Sequence, residues 1–333
     1  MLKKISIIGD GGMGTVLGIL LCDKNIPARI WGYDRRQLAG IEKARRNRKF
    51  LPGYKLPKSL VFEPDDGRIM SGADLIISAV PCQFMRPVWT RLKDNVPGGV
   101  PIVSVAKGIE NNTLLRPTQI LAQVLNLKSH ARLAVLSGPT IADELARKLP
   151  ATACAAAYNQ KLAKQLQRVF SVPWLRVYTN TDVVGVELAG AMKNIIAIAA
   201  GIIDGAGAGD NAKAALLTRG LAEISRLGIA CGAKPQTFAG LAGLGDLVTT
   251  CISPSGRNRS FGERIGKGQT LEQARDATES VVEGIATCES VVALARQYKV
   301  EMPITRAVYE VLFKKKSVQK AIEDLMKRRL KAE

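Results

Sequence analysis

Five short runs rich in isoleucine and valine recur through the first half of the chain: KISIIG (4–9), ARIWG (28–32), ADLIISAV (73–80), PIVSVA (101–106) and ARLAVLS (131–137). Between them lie stretches at helical spacing, at 13–22, 82–93, 116–125 and 140–148. No other feature restricts the fold as much. A strand buried on both faces reads as an unbroken apolar run, and strand alternating with helix builds a parallel sheet covered by helices on both sides. The runs 151–157 and 174–179, around a helical pattern at 159–170, predict further strands.

After about residue 180 the pattern changes. Long apolar stretches at helical spacing dominate, broken by glycine-rich segments at 205–209 and 240–245. With 333 residues, 47% of them hydrophobic, the chain exceeds one compact unit. The expected organisation is α/β: a doubly wound Rossmann-like parallel-sheet domain over 1–180, then an all-helical domain over 181–333.

The stretch GVELAGAMKNIIAIAAGIIDG (185–205) is nearly all apolar, with Lys193 near its middle. It has the length to cross a bilayer. Glu187, Lys193 and Asn194 fall inside it, however, and a central lysine alone costs roughly 2.5–3.5 kcal/mol on insertion. A buried helix is therefore expected and no integral membrane segment. The start, MLKKISIIG, reaches glycine too soon for a secretory signal. The cysteines (Cys22, Cys82, Cys154, Cys231, Cys251, Cys288) are scattered, without metal-ligand spacing, which points to reduced core thiols, no metal and a cytoplasmic location.

Charge is the unusual feature of the composition. Forty-eight basic residues against 29 acidic ones give +19, a field that attracts anions such as phosphorylated metabolites or nucleic acid, or simply keeps the protein soluble. Two runs, Lys43–Lys58 and Lys314–Lys331, hold much of the excess. Neither is interleaved with aromatics as a single-strand stacking platform would be, so no nucleic-acid partner is expected. The terminal segment SVQKAIEDLMKRRLKAE reads as a solvated amphipathic helix.

The first strand runs into GDGGMG, which fits G-x-G-x-x-G with Gly9, Gly11 and Gly14, and a helix begins near Met13. A strand, a glycine turn and a helix N-terminus receive a dinucleotide pyrophosphate through backbone N–H groups. Asp10 is awkward beside two phosphates and must point away or be tolerated at a cost. Asp34 lies twenty residues past Gly14, where an acid bonds the ribose 2′-hydroxyl of NAD; Arg35 and Arg36 follow, and arginine favours the 2′-phosphate of NADP. The choice between NAD and NADP stays open.

Carbonyl reduction by a nicotinamide enzyme needs a proton source. The single histidine, His130, sits in the polar stretch LKSHAR, which suits a surface position. Lys193 is the better candidate. Residues three and four away on its helix are Ala189, Gly190, Ile196 and Ala197, mostly small, so a ligand has room to approach. Desolvation lowers a lysine pKa toward a useful value; the competing reading is a lysine snorkelling from a helix edge. Asp246, in GLAGLGDLVTTC, is either a helix cap or the partner of a buried ammonium. Arg257, Asn258 and Arg259 form a phosphate clamp or an ordinary solvated loop. Lys107 and the Gly138–Pro139–Thr140 turn end two strands, where open α/β sheets hold ligand.

Taken together, GDGGMGT, WGYD, FLPG, SVAKGIE, SGPTIADE, GVELAGAMKNIIAIAAGIIDG, KAALLTRGLAEISRLG, GLAGLGDLVTTC, SGRNRSFG and VVEG resemble the soluble bacterial NAD(P)-dependent glycerol-3-phosphate dehydrogenases over nearly the whole chain. The resemblance implies reduction of dihydroxyacetone phosphate to sn-glycerol 3-phosphate, a phospholipid precursor, by a homodimer. It makes Lys193 the proton acceptor–donor. It gives substrate contacts to Lys107, Gly138, Thr140, Asp246, Arg257 and Asn258. Gly12, Met13, Tyr33, Phe50, Lys107, Ala142, Arg257, Val281 and Glu283 would line the cofactor beside the glycines of the turn. The chain departs from the family pattern at Asp10 (usually alanine), Cys82 (serine), Gly256 (serine) and Asp143; Gly256 removes a hydroxyl that could bond the substrate phosphate. Two other readings remain: a related dehydrogenase acting on another hydroxy acid or phosphorylated alcohol, and a basic surface-binding protein on a degenerate fold, whose binding would follow salt.

Overall fold

The computed structural model describes residues 4–278 and 281–330. Its contacts divide the chain into two units, one of residues 1–107 and 116–187, the other of 108–115 and 188–333.

The first unit is built on one eight-stranded sheet in the order β3-β2-β1-β4-β5-β6-β7-β8. Chain order runs β1 (Ile5–Ile8), α1 (Gly12–Asp23), β2 (Ala28–Trp31), α2 (Arg35–Ala44), β3 (Val61–Phe62), α3 (Asp66–Met70), β4 (Leu75–Ser78) and α4 (Cys82–Leu92). It continues through β5 (Ile102–Ser104), α5 (Pro117–Val124), β6 (Leu133–Ser137), α6 (Ala142–Ala146), β7 (Ala151–Ala157), α7 (Gln160–Phe170) and β8 (Leu175–Asn180). The apolar runs become strands because both sheet faces are covered: Ile5, Ile7, Ile8, Ile30, Ile76, Ile77 and Val103 are fully buried. Strand order reverses between β1 and β4, and that switch point is where such sheets bind ligand.

One expectation needs correcting. The sheet is mainly parallel, but β7 runs antiparallel to β6, pairing Ser137 with Cys154 and Ala134 with Ala157. The connection from 138 to 150 contains only the five-residue α6 and turns back instead of crossing the sheet. Strand β8 is parallel to β7 again, through α7. Elements α2, α3 and β3 join those expected from the sequence.

The division between units falls within α8 (Val183–Gly205). This is the one helix among the described residues long and apolar enough to cross a membrane, and its most apolar window is 94% buried in the structure. A helix apolar on all sides belongs in a core. The second unit continues with α9 (Asp210–Ala230), α10 (Pro235–Ala239), α11 (Asp246–Ile252), α12 (Arg257–Gly266), α13 (Leu271–Asp276), α14 (Glu283–Gln297), α15 (Pro303–Phe313) and α16 (Val318–Met326). The terminal helix stops sooner than its pattern suggested. Met326 and Leu330 are 80% and 95% exposed, so the cationic end buries no apolar face; residues 331–333 lie outside the described range.

Candidate active site

In the first unit, the glycine turn joins β1 to α1. Gly9 has φ +118, and a Cβ there would lie 2.6 Å from the Ala79 carbonyl oxygen, so the turn admits only glycine. Helix α1 starts at Gly12 with Gly11 as its cap, no side chain bonding its first N–H groups and no acid in its first turn. The space beside Gly11 is open. A half-buried, uncapped N-terminus with bare glycine backbone is what a pyrophosphate requires, so the residues present fit a dinucleotide. A Cβ on Gly12 would meet the Phe50 carbonyl oxygen at 2.7 Å and the Ala142 Cβ at 3.6 Å, which brings three expected cofactor residues together. Met13, Lys107 and Thr140 line one cavity with Val105 and Leu136. Tyr33 stands 67% exposed at the end of β2.

Gly138, at φ +127, ends β6 and offers its carbonyl to both Lys107 Nζ and Thr140 Oγ1, each at 3.0 Å. The neighbouring Ser137 hydroxyl is buried and has no hydrogen-bond partner among the described residues. His130 precedes the opposite, N-terminal end of β6 and rests against the Tyr158 ring, 5.7 Å between centroids.

Asp10 points away from the helix N-terminus. Gln37 Nε2 donates to its Oδ2 at 2.6 Å, and its main-chain oxygen accepts from Asn47 Nδ2 at 2.8 Å. Burial raises its carboxyl above the ordinary range and the Asp34 charge adds to the rise; the Gln37 bond and the Lys49 charge oppose it. Asp34 caps α2, its Oδ1 accepting from the N–H groups of Arg36 and Gln37. Asp143, another departure from the family pattern, accepts from Tyr54 Oη at 2.7 Å. Cys82 is a buried thiol at the start of α4.

In the second unit, Lys193 is 5% exposed on α8 and forms an ion pair of 2.8 Å with Asp246 Oδ1. Asp246 is only 2% exposed. It follows a π-helical turn, Leu241–Gly245, and opens α11 without capping it. Thr250, one turn further along α11, accepts from Lys193 Nζ and donates to Asp246 Oδ1 at 3.4 Å. The ammonium is thus oriented by a carboxylate and a hydroxyl from one helix face. Cys251 next to it is inert: burial pushes its thiol up to about 12, against the opposing Lys193 charge.

Helix α12 begins at Arg257 and crosses α8 at backbone contact. A Cβ on Gly262 would strike the Ile198 carbonyl oxygen, and one on Gly201 would strike that of Arg259. Asn258 is buried; its Oδ1 accepts from Gly284 N at 3.0 Å, and a Cβ on Gly284 would lie 2.9 Å from the Asn194 carbonyl oxygen. Arg257 is exposed and donates from Nη1 to the Val281 carbonyl at 3.1 Å, with Glu283 opening α14 two residues on. Gly256 caps α12, 3.0 Å from the Thr250 carbonyl oxygen as measured from a Cβ built on it. Lys193, Asp246, Asn258, Arg257, Val281 and Glu283 therefore belong to one neighbourhood of α8, α11, α12 and α14. Sequence reasoning missed Thr250. The available signal for Thr250 was its place four residues after Asp246, on the same helix face.

A dinucleotide turn on a Rossmann-type sheet, and a buried lysine held by aspartate and threonine in a helical unit, define an NAD(P)-dependent oxidoreductase. Comparison with known proteins narrows this. The family model for the NAD-dependent glycerol-3-phosphate dehydrogenase N-terminus matches residues 4–163, and that for the C-terminus matches 182–323. The chain belongs to this family. It is 46% identical over 330 residues to a glycerol-3-phosphate dehydrogenase [NAD(P)+] of Chlorobium phaeobacteroides, covering 99% of each chain. A relative of the same name from a Geobacter species is 45% identical over 333 residues, covering 100% of this chain and 99% of the other. The crystal structure of glycerol-3-phosphate dehydrogenase from Coxiella burnetii superposes with TM-score 0.93 at 36% identity, covering 98% of this chain and 99% of that one.

Proposed function

We propose that the chain interconverts dihydroxyacetone phosphate and sn-glycerol 3-phosphate, in the cytoplasm and as a homodimer, and so supplies glycerol 3-phosphate for phospholipid synthesis. The observation that carries the reading is the buried Lys193–Asp246 pair with Thr250 bonded to both, beside the Arg257–Asn258 helix start. NAD(P)H, when bound, supplies the hydride. The turn at Gly9, Gly11, Gly12 and Gly14 would hold its phosphates, with Met13, Tyr33, Phe50, Lys107 and Ala142 as further contacts.

Lys193 Nζ carries the proton that the substrate oxygen takes as the carbonyl carbon becomes a secondary alcohol. Asp246 pairs with the ammonium, and Thr250 fixes its direction. In the oxidative direction the neutral amine takes the alcohol proton back. Arg257 anchors the phosphate with its guanidinium beside Asn258; binding energy away from the reacting carbon thereby positions it. The buried surroundings of the pair exclude water from the proton path.

The test is direct. Purified protein mixed with dihydroxyacetone phosphate and NADH or NADPH consumes the reduced cofactor, followed by loss of nicotinamide absorbance, and forms glycerol 3-phosphate. Absence of turnover with both cofactors overturns the reading.

A further inference from the structure

We propose that Asp10 makes the enzyme select NAD over NADP: its carboxylate stands with Asp34 at the C-terminal end of β2, where the adenosine ribose of a dinucleotide lies, and repels a 2′-phosphate. The inference rests on the dinucleotide reading of the glycine turn and concerns which of the two cofactors that turn accepts.

Three observations carry it. The Asp10 side chain folds over β2: a Cβ placed on Gly32 would lie 2.8 Å from Asp10 Cγ and 3.0 Å from its Oδ2, so glycine at 32 makes room for the carboxylate. Gln37 then pins the group there through the 2.6 Å bond to Oδ2. Asp34, the acid at the expected ribose position, already spends Oδ1 on two backbone N–H groups of α2. The ribose end of the site thus presents two carboxylates within each other's field. In this fold an acid at the end of the second strand receives a ribose hydroxyl, and a cation is needed to receive a 2′-phosphate.

The nearby cations are exposed side chains, whereas the Asp10 carboxylate is held in place by Gln37. Arg35 is exposed at the start of α2, and its charge acts on Asp66 of α3. The Lys49 ammonium sits over the Phe50 ring, 5.0 Å from its centroid, and its charge acts on Asp10. Arg36 is exposed on the first turn of α2. A group of charge near −2 brought beside two fixed carboxylates meets like-charge repulsion, which costs far more than a lost hydrogen bond. A 2′-hydroxyl donates to either acid instead.

The experiment measures Kd for NADH and NADPH by nicotinamide fluorescence, without substrate, in the wild type and in Asp10→Asn and Asp10→Ala. Asparagine keeps an oxygen for Gln37 and removes only the charge, so it separates charge from folding. The wild type should bind NADH at least about ten-fold more tightly than NADPH. Both variants should narrow that ratio about ten-fold, through tighter NADPH binding, with NADH shifted less than about three-fold. A wild type that prefers NADPH, or variants in which both cofactors shift together, overturns the role of Asp10. Failure of the wild type to bind either cofactor overturns the dinucleotide reading itself, a result distinct from equal binding of both.

Discussion

Helix α8 carries two buried ion pairs, six residues apart at Glu187 and Lys193, and they differ in kind. The Glu187 side chain is 0% exposed and meets Arg116; Thr118 adds its N–H at 2.8 Å and its hydroxyl at 2.7 Å, so both carboxylate oxygens are occupied. Lys193 meets Asp246 and Thr250. The guanidinium of the first pair never releases a proton, whereas the ammonium of the second can. Burial and pairing alone do not mark a catalytic site; the chemistry of the cation does. Glu223 supplies a third case. It is 2% exposed and takes its hydrogen bonds from the start of α15, Ile304 N at 2.7 Å and Thr305 N at 3.2 Å.

The largest expected effect tests the second pair. Lys193→Arg keeps a cation beside Asp246 but cannot donate in the same way, so kcat should fall about 10²–10⁴-fold while thermal melting and NADH binding are retained. Turnover near the wild-type level breaks the distinction. Arg116→Met does the reverse: it strands a buried carboxylate and should cost about 3–5 kcal/mol in urea unfolding, with kcat of the surviving folded enzyme little changed. An unaltered stability would show that Glu187 is not committed to its pair.

Glu223 should give a pH signature. Burial raises its carboxyl from an ordinary value of 4.5 to about 7, against the opposing backbone hydrogen bonds. A raised folded-state pKa means that the folded protein binds the proton more tightly. The associated stability is present below about pH 4.5 and is lost as pH rises through about 7. Relative to wild type, Glu223→Gln should flatten this slope, removing on the order of 3 kcal/mol of pH dependence across that window. An unchanged slope would assign the window to other groups. The smallest effect concerns the exposed cation. Arg257→Ala should raise KM for dihydroxyacetone phosphate about 10- to 150-fold, as expected for a charge-assisted contact, and leave unphosphorylated dihydroxyacetone almost unaffected. Equal changes for both substrates would remove Arg257 from the phosphate site.

The strands were legible because Ile5, Ile7, Ile8 and their counterparts sit in a two-sided core, which leaves unbroken apolar runs. Strand β3, Val61–Phe62, has two residues and no period to read. The direction of β7 was hidden because it depends on whether residues 138–150 cross the sheet, not on the strand's own composition. Lys193 drew notice as a charge in an apolar run. Thr250 did not, since a threonine in a helix is unremarked until Asp246 and Lys193 are seen beside it. Asp10 was a conflict in the sequence; the contacts with Gly32 and Gln37 show where the side chain goes. Glu223, within LAEISRLG, carries no sign of its burial in the sequence beyond Gly220 and Leu227, three before and four after, which share its buried face.

The glycines that let α8 and α12 touch have a consequence for which molecules the enzyme turns over. With Gly201 set against the Arg259 carbonyl and Gly262 against that of Ile198, the helices are locked main chain to main chain, with no flexible side chains between them to yield. The span from the Lys193 nitrogen to the start of α12 then acts as a fixed gauge. On the proposed roles of Lys193 and Arg257, a ketone whose phosphate sits one carbon further along should be turned over more slowly than dihydroxyacetone phosphate.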